Sequence, residues 1–421
     1  MTQYSAIGVL HAMRPPAVHS TRAATLRALA IATMVLLAAC DPRSALDRLR
    51  PPPRTAYDRY AERIRDAGLD STALGREWLA ASDSALRAPF AAALPAREVG
   101  IYSRSEARAV AYRFSLREGQ RLRASFESEG LPARVYVDLF EITGDTARPF
   151  VHRETGDMPV APGGARVELQ YEADREGTYV LRLQPELLRG GKFVLTLRTE
   201  PILAFPVKGG TNRSIQSYFG AVRDGGRRDH HGIDIFAPRG TPVVAAVEGV
   251  VRSITPNRLG GNVVWLSDGA RGQSLYYAHL DRHAVVAGQR VRVGDTLGFV
   301  GNTGNARTTA PHLHFGIYRR GYGPIDPLPY VKLVVAAVPA LGVDTSRLGG
   351  VGMTRIADAD VREGPSRDSE VLRSVARETR LQLVGASGGW YRVQLEDGTS
   401  GYLTEGALRI TGNAVPRDLG S

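Results

Sequence analysis

Cysteine is almost missing from this chain: Cys40 is the only one in 421 residues. No disulfide can close within one chain, and no cysteine-built zinc site is possible. Lysine is nearly as scarce, with only Lys192, Lys208 and Lys332, so the basic charge is carried almost wholly by arginine. No run of 18 or more apolar residues occurs, so the sequence offers no candidate transmembrane helix. What is present is ordinary for globular protein: 43% hydrophobic and 23% charged residues exclude wholesale disorder. At roughly 150 residues per domain the length predicts about three domains. Lys and Arg number 54 against 43 Asp and Glu, a net charge of +11. Such a field favours contact with anionic polymers: nucleic acid, acidic lipid head groups or cell-wall material.

The lone cysteine sits where an export signal would end. Arg14, Arg22 and Arg27 precede the apolar run 28–39, too short to span a bilayer but suited to a signal-peptide core. The run closes on Leu37-Ala38-Ala39-Cys40, followed by Asp41-Pro42. This resembles the lipobox of bacterial lipoproteins, in which the peptidase needs small residues and Cys40 takes the lipid. Two or three acyl chains anchor stably, which one does not. The resemblance implies an exported, membrane-anchored protein of the cell envelope, with the start at Met1 or Met13 left open.

Residues 41–55, rich in Pro and Arg, read as a tether. Segment 56–95 reads as helical. Tyr57, Tyr60 and Ile64 keep helical spacing to a stop at Gly68; Asp70-Ser71 would cap a second helix carrying Leu74, Trp78 and Leu79, ended by Pro89. From about 97 the period becomes two. Val110, Tyr112, Phe114 and Leu116 alternate with polar or small residues, as do Val135, Val137 and Leu139, then Val167, Leu169 and Tyr171, then Tyr179, Leu181 and Leu183. Short strands between Gly and Pro predict a β-sandwich over 96–203, a spacer or binding module without a catalytic constellation. Residues 204–330 show many short apolar runs punctuated by Gly and Pro, an all-β pattern with tight turns. Most of the excess positive charge lies there. A linker is expected at 331–351, and 411–421 as a disordered tail.

Six of the nine histidines fall between 230 and 314, in three groups. His230 and Asp234 are four apart, a spacing that places two side chains on one face of a helix or a strand. Gly232, Ile233 and Ile235 favour the strand, with His231 pointing to the other side. His312 and His314 are two apart and share a strand face, with Leu313 and Phe315 on the opposite one. His279 lies in Tyr276-Tyr277-Ala278-His279-Leu280, again within apolar alternation. Imidazoles and one carboxylate are what zinc accepts in a tetrahedral site, and a catalytic site takes three protein ligands, leaving the other histidines for proton transfer.

His230-x-x-x-Asp234, Tyr277-x-His279 and His312-x-His314, with the flanking 237–242, Gly294-Asp295 and 301–304, resemble the lysostaphin/LytM-type zinc metallo-endopeptidases of peptidoglycan. The resemblance covers about 120 residues, roughly 207–330. It implies one Zn2+ per chain held by His230, Asp234 and His314, with His279 and His312 as the catalytic histidines. Gly316 departs from the family, which often has Glu there, and 305–310 lengthens the loop before the histidine pair. Residues 352–410 resemble bacterial SH3 domains through 361–366, 388–393 and 398–402; Trp390 and Tyr402 would offer a peptide-binding face or serve as core. The implied fold class is mainly β: N-terminal helices plus a sandwich, a central antiparallel β barrel-sandwich peptidase domain, and an SH3-like barrel.

The function this implies is hydrolysis of peptide cross-links in bacterial peptidoglycan, with the membrane as a second partner through the lipid. Some relatives that have lost ligands instead activate cell-wall amidases, and that is the alternative. Nucleic acid is not expected as a partner: basic charge alone is weak support, and the export signal argues against it. No Gly-x-Ser-x-Gly elbow, phosphate loop or His-Glu-x-x-His occurs. The scissile bond, the choice of membrane, any inhibitory role of the N-terminal region and the oligomeric state are unreadable at this level.

Overall fold

A computed structural model describes residues 54–129, 134–146, 149–156, 165–334 and 336–410. The signal segment with Cys40, all but the end of the tether and the tail 411–421 lie outside the described residues.

Thr55 opens the first helix, Ala56–Asp66, with a reciprocal cap in which Thr55 and Asp58 satisfy each other's backbone N–H groups. Gly68 adopts the left-handed conformation that ends it. The second helix, Ala73–Arg87, is capped by Thr72, whose side chain accepts from the Gly75 N–H. The cap thus falls one residue past Asp70-Ser71, because those two belong to a short 3-10 turn. Trp78 is the anchor of the pair. It is buried, stacks on Tyr57, and donates Nε1–H to the Pro185 carbonyl at 2.8 Å, which ties the helices to the sandwich.

The alternating segments are strands. One sheet has the order Phe90–Ala91, Val110–Leu116, Gly177–Pro185, Val135–Ile142, Phe150–Gly156. The facing layer comprises Ala96–Tyr102, Gly191–Pro201, Gln120–Glu129 and Ala165–Glu172. Tyr112, Phe114, Phe126, Leu139, Leu181 and Phe193 fill the space between them. Each such large side chain contributes about 1.5–3 kcal/mol over exposure.

The next sheet builds the histidine-rich region. Its order is Ile215–Ser217, Ile233–Phe236, His312–Arg319, Gln273–His283, Asn262–Asp268, Gly249–Ser253, Arg290–Val291. Pro242–Val244 and Thr296–Val300 pair beside it, the latter joining Gln273–His283. Ile233, Ile235, Leu313, Phe315 and Ile317 point into a fully buried core. The same strands must therefore turn Asp234, His312 and His314 to the other face.

The C-terminal strands do not stand apart. Arg380–Ser387 pairs antiparallel with Ala96–Tyr102, matching Val99 to Ala386 and Gly100 to Gly385. The sandwich layer and the C-terminal module thereby form one 11-stranded sheet. Glu98 is 4% exposed and lies under this seam, receiving Arg392 Nε–H at 2.7 Å and the Tyr402 hydroxyl. Gly385 is required there: a Cβ would fall 2.8 Å from Glu98 Oε1. Tyr402, 1% exposed, is thus core of the seam rather than part of a peptide-binding face, and Trp390 is half-buried. The mainly β expectation holds, though among the described residues none of the sheets closes into a barrel.

The histidine-rich sheet is pinned to the sandwich by Arg271, which donates from Nε and Nη2 to Glu172, and by Tyr330, which donates to Glu118 at 2.6 Å. No helix among the described residues is long and apolar enough to cross a membrane.

Candidate functional site

Pairing between Ile233–Phe236 and His312–Arg319 sets Asp234 directly across from His314. His230 lies outside the strand, in the turn after Arg228–Asp229, and is delivered by backbone bonds: its N–H donates to the Ala221 carbonyl and its carbonyl accepts from the Gly220 N–H. The single-strand reading of His230 to Asp234 is corrected accordingly; the chain reaches the same juxtaposition through a turn. His231 is exposed.

Three ligand atoms meet. His230 Nε2 lies 3.0 Å from Asp234 Oδ1 and 2.9 Å from His314 Nδ1, and His314 Nδ1 lies 3.1 Å from the same Oδ1. This His-Asp-His group has the chemistry and spacing to hold a metal ion. The tautomers explain why. A carbonyl can only accept, so His230 Nδ1–H donates to Tyr218 O at 2.8 Å, and in the neutral ring Nε2 carries a lone pair. That lone pair faces carboxylate oxygen and another imidazole nitrogen. A cation among these atoms would take that lone pair together with Asp234 Oδ1 and an unprotonated His314 Nδ1.

His279 and His312 flank the trio. Their rings are 5.0 Å apart, and His312 Nε2 is 3.9 Å from Asp234 Oδ1. His279 Nδ1–H donates to Thr303 O and His312 Nδ1–H to Ala310 O, both at 2.9 Å. Ala310 is the last residue of the lengthened loop 305–310, so that loop orients the His312 ring, and Thr303 just before it orients His279. His279 also adopts a left-handed backbone, φ 63°, inside the strand Gln273–His283. That conformation is uncommon for a residue with a side chain and is a mark of functional sites.

Burial sets the charges. Desolvation, helped by the neighbouring His314 and His312, pushes the His279 imidazole down to about 4. Burial likewise lowers His314, against the opposing pull of Asp234. For Asp234 burial acts upward, but the hydrogen bonds and charge of His230 and His314 prevail and hold the carboxyl well below its usual range. The lowered Asp234, His279 and His314 favour the unprotonated forms that metal ligation and proton acceptance both require.

All five sequence-predicted chemical residues are brought together. Several supporting groups have no motif: the carbonyls of Tyr218, Thr303 and Ala310, and Arg223, whose Nη2 donates to Asp234 Oδ2 at 3.0 Å. Gly232 carried a weak signal. A Cβ there would stand 2.4 Å from Phe315 O and 2.8 Å from the His314 ring, so only glycine lets that ring lie where it does. At Gly316 a Cβ would meet His231 O at 2.9 Å and Tyr318 at 3.1 Å, which leaves no room for a glutamate.

The sequence profile of peptidase family M23 matches residues 228–327, and that of the bacterial SH3 domain matches 357–408. An L-Ala--D-Glu endopeptidase of Bacillus subtilis is 38% identical over 140 residues, 31% of this chain and 43% of the relative. The peptidoglycan DD-endopeptidase ShyC of Vibrio cholerae is 44% identical over 89 residues, 20% of this chain and 19% of the relative. The alignments therefore span less than half the length of these relatives. The solved catalytic domain of lysostaphin from Staphylococcus simulans is 31% identical, with 27% of this chain and 89% of that domain covered, at a TM-score of 0.26.

Proposed function

The chain carries a peptidase family M23 domain of the lysostaphin/LytM type and a bacterial SH3 domain, and from that premise we propose that it is a zinc-dependent endopeptidase hydrolysing peptide cross-links of bacterial peptidoglycan. The observation that carries the reading is the convergence of His230 Nε2, Asp234 Oδ1 and His314 Nδ1, all within 4.8 Å of one another, beside two histidines whose Nδ1 atoms are already engaged. His230, Asp234 and His314 would hold the ion. When bound, zinc supplies Lewis-acid polarisation of the peptide carbonyl and acidification of water.

His279 and His312 do the proton work. With each Nδ1–H fixed on a carbonyl, each neutral ring keeps its basic Nε2 free. One takes a proton from the attacking water and the other returns one to the departing amine. Phe236 packs on the His312 ring with centroids 4.9 Å apart and restricts its rotation. Having all three ligand residues in place speaks against the amidase-activator alternative, in which ligands are lost.

The reading extends to location. Cys40 would carry the lipid and hold the enzyme at a membrane facing the wall, with peptidoglycan as substrate and partner. Mass spectrometry of muropeptides released from defined sacculi by the chain lacking residues 1–40 tests the activity and identifies the bond. Release abolished by a chelator and restored by zinc is expected; release of glycan fragments only, or none, overturns the reading.

A further inference from the structure

We propose that Arg223 is a positioning residue of the metal site, fixing Asp234 as a one-oxygen ligand and bracing His230; the inference rests on the zinc reading above. Arg223 ends one arm of a small hairpin, Val222–Arg223 against Arg228–Asp229, with Arg223 opposite Arg228 and Val222 opposite Asp229. The next residue after the second arm is His230, held to the base of the hairpin by its two backbone bonds to Gly220 and Ala221. One frame therefore presents both a ligand and the arginine.

The contacts are directed at ligands. Arg223 Nη2 donates to Asp234 Oδ2 at 3.0 Å, while Oδ1 of the same carboxylate faces the two imidazoles. The terminal torsion of an aspartate is broad and nearly two-fold. Tying Oδ2 removes that freedom and leaves Oδ1 aimed inward. The same Nη2 donates to Ser217 Oγ, and that oxygen lies 3.3 Å from His230 Nδ1. Ser217 is also the cross-strand partner of Asp234. Arg223, Ser217, Asp234 and His230 thus form one connected set around two of the three ligands. The Asp234 side chain is 11% exposed and that of Arg223 30%, so the pair is sheltered more than an ordinary surface ion pair.

Partners of this kind orient metal ligands, and losing one typically costs about 10–100-fold in metal affinity. The test uses the full chain as wild type, Arg223→Ala, Arg223→Lys and Ser217→Ala, with Zn2+ alone titrated against a chromogenic chelator. Arg223→Ala is expected to weaken zinc binding about 10–100-fold while the chelated protein keeps its circular dichroism, and its deficit in hydrolysis should shrink as zinc is raised. Arg223→Lys, which keeps a donor, should recover part of the affinity. An Arg223→Ala protein that binds zinc as tightly as wild type overturns the inference. Should that variant fail to fold, unchanged zinc affinity in both Arg223→Lys and Ser217→Ala overturns it instead. Wild type that binds no zinc defeats the metal reading itself, before any substitution is made.

Discussion

Glu98, Arg392 and Tyr402 form one buried polar cluster, at the seam between the sandwich and the SH3 strands; His230, Asp234 and His314 form another, in the peptidase domain. Both concentrate buried ionisable groups against a sheet. In the first, donors meet acceptors: Arg392 Nε–H and the Tyr402 hydroxyl donate hydrogen bonds to the two oxygens of Glu98, one to each. The attraction of Glu98 raises the Arg392 pKa although its burial acts the other way. In the second, Arg223 engages Oδ2 of Asp234, while Oδ1 lies among the ring nitrogens His230 Nε2 and His314 Nδ1, and the His230 Nδ1–H turns outward to a carbonyl. A closed cluster holds the fold together. An open one has ligand atoms that could receive a metal ion.

This contrast can be broken at either end. The largest effect is expected in the open cluster: His314→Ala should abolish both zinc binding and hydrolysis, whereas a substitution at residue 279 should keep zinc and slow hydrolysis by about 10²–10⁴-fold. Asparagine is the better replacement there, since it tolerates the left-handed backbone that alanine would resist. Full activity in a metal-free His314→Ala protein would remove the basis of the comparison.

In the closed cluster, Arg392→Ala leaves Glu98 buried without its ion-pair partner and should cost about 3–5 kcal/mol of stability. Denaturant unfolding would show it, with kcat on a soluble muropeptide unchanged in the fraction that stays folded. Loss of hydrolysis without loss of stability would mean that the seam serves the site directly.

The smallest effect sharpens the contrast through pH. Folding holds the His279 pKa near 4, below its ordinary 6.5. Between those values the unfolded chain binds the proton and the folded chain does not, so stability is complete above pH 6.5 and declines as pH falls toward 4. Melting of the chelated protein across this window should be steeper for wild type than for His279→Asn. Equal slopes would show that His279 titrates normally in the fold.

Much of the site was legible because metal-ligating groups come from few residue types and strands impose a period of two. His312 and His314 had to share a face once Leu313 and Phe315 were assigned to the core, and they do. His230 escaped the same logic. It arrives through a turn, and its four-residue spacing from Asp234 reflects that turn rather than strand alternation. Tyr402 read as a candidate binding residue because aromatic content does not reveal which side of a sheet another module will cover.

The sequence by itself determined the residue types of the candidate site, the alternation that builds each sheet and the glycines that admit close approach, since these depend on residue type and local spacing. Tertiary structure alone decided which carbonyls orient the histidines, that Arg223 reaches Asp234, and that strands Ala96–Tyr102 and Arg380–Ser387 fuse two modules. Backbone carbonyls are the same at every position. Sheet pairing between segments nearly three hundred residues apart is chosen by the packing of whole layers, which no local pattern encodes.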